Sequence, residues 1–238
     1  MKKLVVLFSV ISLILAYVLV DFFFISIEST TSIINRFPII VMPAPYTFIF
    51  RYIVFLLLLV WVWDIFQRNI QLTERQTMLF LFSALSNIVY LYSWHTEQYT
   101  VAVILSAATF LFIGALYRTI KKDPVTRLTT CPISTYVAWT FLMFLFNLKY
   151  FLMFEGWVSI GLSDSLWAIL LLTFATAIAL YLMYRYEDIA IAVVFAWTYV
   201  GILVKNGLNE PFVSISTALL IFILTMSAVL VVQRRHNN

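Results

Sequence analysis

The segment 38-PIIVMPAPYTFIFRYIVFLLLLVWVWDIF-66 opens with three prolines in eight residues, Pro38, Pro43 and Pro45. It then runs about eighteen residues with a single charge, Arg51, before Trp61, Trp63 and Asp64 close it. About twenty apolar residues let a helix cross the hydrocarbon of a bilayer. Proline at a helix entry is tolerated because the first backbone N–H groups have no intrahelical partner. The segment therefore reads as a stiff loop leading directly into a membrane span. The rest of the chain agrees. Of 238 residues, 63% are hydrophobic and 11% charged, against roughly 45–50% and about 25% in soluble domains. Too few charges remain to cover a water-facing surface.

The apolar runs are continuous rather than alternating, so the spans are helices and not barrel strands. Eight are expected, at about 4–27, 46–66, 77–95, 98–118, 132–154, 163–183, 187–204 and 212–232. The fold class is an all-α polytopic transmembrane bundle. The first run follows Lys2 and Lys3 but exceeds the roughly 7–15 residues of a signal-peptide core, and no good small-residue cleavage site follows it. It reads as a retained anchor. With the N-terminus inside, 11 of the 15 Lys and Arg fall on the cytoplasmic side. Only Arg36, Arg51, Lys149 and Lys205 fall outside or near outer ends. Basic residues accumulate on the cytoplasmic side of membrane proteins, so both termini are expected there and the chain is expected in the cell membrane. The net charge of +4 sits in short loops and tails and does not suggest nucleic acid.

One cysteine, Cys131, rules out an internal disulfide framework, and two distant histidines, His95 and His236, form no metal-ligand spacing. Polar groups inside spans are informative because lipid does not solvate them. Asn87 and Asn147 are mid-span amides, able to glue helices together or to contact a ligand. Asp21 and Arg51 lie near the outer ends of consecutive antiparallel spans and are expected to pair. Lys149 is expected to snorkel toward the interface. Trp61, Trp63, Trp94 and Trp157 fall near span ends, where interfacial belts place tryptophan. Tyr136, Trp139, Met143 and Asn147 share one helix face, which fits ordinary packing and the wall of a flat aromatic ligand equally well. A small-residue stripe, 173-TFATAIA-179, is able to pack helices closely within one chain or between two.

Three of these motifs together resemble the tryptophan-rich sensory protein family (TspO, related to the mitochondrial translocator protein). The segment 43-PAPYTF-48 is similar to the family's paired prolines before its second helix. The run 84-ALSN-87 followed by Tyr90 looks like its Leu-Asn-x-x-Trp segment. Pro132 with 136-YVAWTFLMFLFN-147 is similar to its Pro-Tyr-x-x-Trp-x7-Asn signature. Three residues depart from the pattern: Arg51 and Tyr90 stand where an aromatic and a Trp are usual, and Met143 where a small residue is usual. The resemblance covers residues 1–155 as a five-helix core, with 156–238 as a three-helix C-terminal membrane extension.

The resemblance implies a cavity between helices, lidded by the loop 28–45, for a porphyrin or other tetrapyrrole, or a sterol-like molecule. Its contacts would be Pro43, Pro45, Phe48, Asn87, Tyr90, Trp94, Tyr136, Trp139, Met143 and Asn147. A bound porphyrin would be ligand rather than required cofactor. Membrane lipid and a second copy of the chain are the other partners implied. The alternative is a transporter or facilitator of small hydrophobic molecules. No nucleophile–base pair, carboxylate dyad or metal site appears, so the chain reads as a non-enzyme. Light-driven porphyrin degradation, in which the pigment itself does the chemistry, is the one catalytic alternative. A retinal protein is disfavoured because Lys149 and Lys205 both lie near span ends.

Overall fold

A computed structural model describes residues 1–23, 30–122, 130–157 and 161–237. Among these residues the regular structure is helical throughout, with no strand. The helices are α1 (Lys2–Phe23), α2 (Thr30–Ile34), α3 (Phe50–Gln67), α4 (Glu74–His95), α5 (Tyr99–Lys122), α6 (Cys131–Phe154), α7 (Asp164–Tyr186), α8 (Ile189–Asn206) and α9 (Pro211–Asn237). A 3-10 turn, Pro45–Ile49, leads into α3. Among the described residues, eight helices are long and apolar enough to cross a membrane. The fold is therefore the all-α polytopic one expected. The expected end of the first span at residue 27 lies outside the described residues. The shortest of these eight helices, α3 and α8, have 18 residues each, about 27 Å of helix.

Local chemistry sets the helix ends. At α4, Gln76 N donates to Thr73 Oγ1 at 3.2 Å, while Thr73 N donates to Gln76 Oε1 at 2.9 Å. This capping box satisfies two N–H groups that have no partner inside the helix. Ser163 accepts from Leu166 N to open α7, and Asp188 from Ala190 N to open α8. Glu187 ends α7 in the left-handed region with φ 51°, so the chain turns into α8 within two residues.

The described chain divides into two compact units, residues 1–36 with 51–151 and residues 37–50 with 152–238. In the first, α1 and α5 both pack against α4. Trp61 of α3 meets Phe80 of α4 with ring centroids 5.2 Å apart. In the second, α7, α8 and α9 pack pairwise and the 3-10 turn lies on α8. Exposed surfaces carry large apolar side chains such as Phe8, Leu56, Trp63, Ile104 and Phe174, while Asn87, Asn147, Thr176 and Thr198 are buried. That inversion suits a lipid surround.

Two expectations need correction. Of the four tryptophans placed in interfacial belts, only Trp63 is clearly exposed, whereas Trp61 and Trp94 are buried. Their indole surface is large enough to be worth enclosing between helices. The Lys149 ammonium is enclosed by protein, so it does not snorkel. The small-residue stripe is used within one chain: Ala175, Thr176 and Ala179 are buried, Thr176 Oγ1 and Tyr199 Oη are 2.9 Å apart, and Tyr199 Oη donates to Leu172 O at 2.8 Å.

The second unit explains the prolines. Pro38, Pro43 and Pro45 bring carbonyls but no N–H, so the loop is rich in acceptors and poor in donors. Backbone carbonyls removed from water need partners, and α8 supplies them. Lys205 Nζ donates to Ile39 O at 3.2 Å, Asn206 Nδ2 to Ile40 O at 3.0 Å, and Trp197 Nε1 to Thr47 O at 3.1 Å. In return, Ala44 N donates to Gly201 O at 3.1 Å. Trp197 also stacks on Phe50, 6.0 Å between centroids.

Candidate functional site

The first unit gathers its polar groups around α4. Asn87 lies on the buried face of that helix, one turn before Leu91 and two before Trp94. Tyr17 Oη donates to Asn87 Oδ1 at 2.8 Å, and Asn87 Nδ2 donates to Tyr136 Oη at 2.9 Å. One amide thus joins α1, α4 and α6. Three residues on, Tyr90 Oη donates to Asn147 Oδ1 at 3.3 Å. Asn147 Nδ2 is buried and has no hydrogen-bond acceptor among the described residues. A buried donor left unpaired costs about 1–3 kcal/mol, so this one stands out beside the paired amide of Asn87.

Aromatic rings flank the amides. The Trp94 and Tyr150 centroids are 4.7 Å apart, and Tyr99 lies 5.0 Å from Tyr150. Tyr150 Oη donates to Ile33 O at 2.9 Å, which ties α2 to α6. Arg36 pairs with Glu97 at 2.6 Å and donates to Tyr99 Oη at 3.2 Å. Residues 30–36 are thereby fastened to the first unit.

The expected Asp21–Arg51 pair is present. Arg51 Nη2 donates to Asp21 Oδ2 at 2.8 Å, and Tyr52 Oη donates to the same oxygen at 2.6 Å. Both side chains are 14% exposed. The guanidinium lies 4.7 Å from the Tyr17 ring centroid and 5.4 Å from that of Tyr52. Tyr17 therefore belongs to two groups at once, through its ring to the ion pair and through its hydroxyl to Asn87.

Of the ten residues expected to line a site, Asn87, Tyr90, Tyr136 and Asn147 are hydrogen-bonded in this cluster. Trp94 borders it, 6.3 Å from Tyr90 by ring centroids. Trp139 is buried and Met143 half-buried on α6 of the same unit. Pro43, Pro45 and Phe48 belong to the second unit. The sequence reading missed Tyr17, Tyr52 and Tyr150. Tyr17 had a signal: it stands four residues before Asp21, on the same helix face.

A separate groove of about 230 Å³ runs between α1 and α4, lined by residues that include Leu19, Ile88, Leu91, Tyr92 and His95. It falls below the roughly 300–1,000 Å³ of drug-sized sites. Among the described residues no group of three or more His, Cys, Asp or Glu is placed to hold a metal.

A family model described as "TSPO-like protein" matches residues 3–230. The chain belongs to the TSPO-like family. The match runs through the three C-terminal helices, beyond the 1–155 over which the motifs carry the resemblance. No curated protein and no solved structure matches the chain. For this TSPO-like chain the three departures have these positions: Arg51 is in the ion pair, Tyr90 hydrogen-bonds Asn147, and Met143 is half-buried on α6.

Proposed function

We propose that this TSPO-like membrane protein binds a flat hydrophobic ligand, a porphyrin or a sterol-like molecule, against the amide–aromatic cluster of its first unit. The observation that carries the reading is the buried, unpaired Asn147 Nδ2 beside Tyr90, whose ring centroid is 6.3 Å from that of Trp94. Rings supply stacking surface, amides set orientation, and apolar burial supplies most of the affinity. Of the expected lid 28–45, the part that belongs to the same unit as the cluster is 30–36, held by Tyr150 Oη and the Arg36–Glu97 pair, whereas 37–45 belongs to the second unit. The protein acts by binding, in the cell membrane with both termini cytoplasmic, and any light-driven breakdown of a porphyrin would come from the pigment. The groove between α1 and α4 favours a second reading, passage of small hydrophobic molecules between lipid and protein.

The test is a titration of detergent-solubilised protein with protoporphyrin IX, followed by quenching of tryptophan fluorescence. Saturable quenching is expected, with Asn147→Ala weakening binding about fivefold, the worth of one net hydrogen bond, and Trp139→Phe weakening it also. Quenching that never saturates, or that both variants leave unchanged, removes the proposal.

A further inference from the structure

Resting on that reading, we propose that the site selects ligands by charge: it takes an uncharged group bearing an acceptor oxygen, such as a ketone or ester, and discriminates against a free carboxylate. Arg51 Nε, like Asn147 Nδ2, is buried without an acceptor among the described residues. The two belong to connected surroundings. Arg51 lies on the Tyr17 ring, Tyr17 reaches Asn87, and Tyr90, one turn along α4, reaches Asn147. Two buried donors without a partner call for ligand oxygens.

Charge then decides which oxygens. A lone buried Arg would call for an anion. Here Asp21 already neutralises it, and Tyr52 donates to the same carboxylate oxygen as Arg51. A ligand carboxylate would be a second anion beside one cation, in surroundings that solvate charge poorly. A ketone or ester oxygen accepts the same hydrogen bonds without that penalty. Arg51 thus serves as a donor whose charge is cancelled.

The experiment compares protoporphyrin IX with its dimethyl ester on the same detergent-solubilised protein, again by tryptophan quenching. The two porphyrins partition differently into micelles, so the informative quantity is how their affinity ratio changes between proteins. The ester is expected to bind more tightly to the parent. Asp21→Asn leaves the Arg51 charge uncancelled, and the ratio is expected to move toward the free acid by about tenfold or more. Arg51→Lys keeps the charge pair but lacks the Nε donor, and is expected to weaken the ester about fivefold. It serves as the second arm if Asp21→Asn does not fold. Tighter binding of the acid to the parent, an unchanged ratio in Asp21→Asn, or an unweakened ester in Arg51→Lys overturns charge selection while leaving porphyrin binding intact. If neither porphyrin quenches saturably, the binding reading itself has failed.

Discussion

Replacing Asp21 by leucine is expected to lower the stability of the protein by about 3 kcal/mol, a fall in Tm on the order of 10 °C for a chain of this size. The change removes the acceptor of both Arg51 and Tyr52. It leaves a guanidinium that is 14% exposed without its counter-ion. Arg51→Met is expected to do similar damage by stranding the carboxylate. The double variant is expected to recover most of the loss, because an ion pair replaced whole by apolar side chains of similar volume is often neutral or stabilising. Thermal unfolding in detergent, followed by tryptophan fluorescence, measures all three. If the single variants unfold with the parent, the pair contributes nothing.

Gly201→Val is expected to detach the proline-rich loop. A Cβ built on Gly201 meets the Thr47 hydroxyl and lies 3.0 Å from Thr47 Cβ and 3.1 Å from Pro43 Cβ. Neither neighbour has a flexible end that moves aside, and overpacking of this kind costs about 1–3 kcal/mol. The same close approach lets Ala44 N reach Gly201 O and Trp197 Nε1 reach Thr47 O, so those bonds are lost with it. Limited chymotrypsin digestion reads the result: cleavage after Tyr46 or Phe48 is expected in the variant and not in the parent. Gly114→Ala is the internal control. Gly114 lies in α5 with nothing within 4 Å of an added Cβ, so alanine there is expected to be neutral or to stabilise by about 0.5–1 kcal/mol. Equal digestion of the Gly201→Val variant and the parent would mean that the loop is not held by α8.

Hydrophobic run length was enough to place all eight spans, because a helix in lipid must be both long and continuously apolar. The Asp21–Arg51 pair was legible for a related reason: two opposite charges at matching depth on consecutive antiparallel spans have few other partners. Asn87 and Asn147 stood out as amides in apolar runs and Tyr136 as part of the helix face that ends at Asn147, and Asn87 and Tyr136 bond to each other. The partners of the loop were not legible. Trp197, Lys205 and Asn206 lie about 150 or more residues from the carbonyls they serve, and neither propensity nor periodicity carries information over that separation. The same limit hid Tyr150, whose hydroxyl serves Ile33. Position along a span did not distinguish Trp61 and Trp94 from Trp63, since a tryptophan near a span end faces lipid or a neighbouring helix according to packing. Lys149 shows the same limit for a charge: its place near a span end did not reveal that protein encloses its ammonium.

A flat hydrophobic ligand is expected to sit against the amide–aromatic cluster of the first unit. Brief illumination of the protoporphyrin complex, followed by peptide mass spectrometry, tests it most directly, because the excited pigment generates singlet oxygen that attacks nearby Trp, Tyr and Met. Oxidation is expected to concentrate at Trp94, Tyr136, Trp139 and Met143, above the level at the exposed Trp63, which reports pigment in the micelle. Oxidation confined to Trp63, to Tyr92 and His95 of the groove, or to Trp157, Trp167 and Trp197 of the second unit would contradict the account.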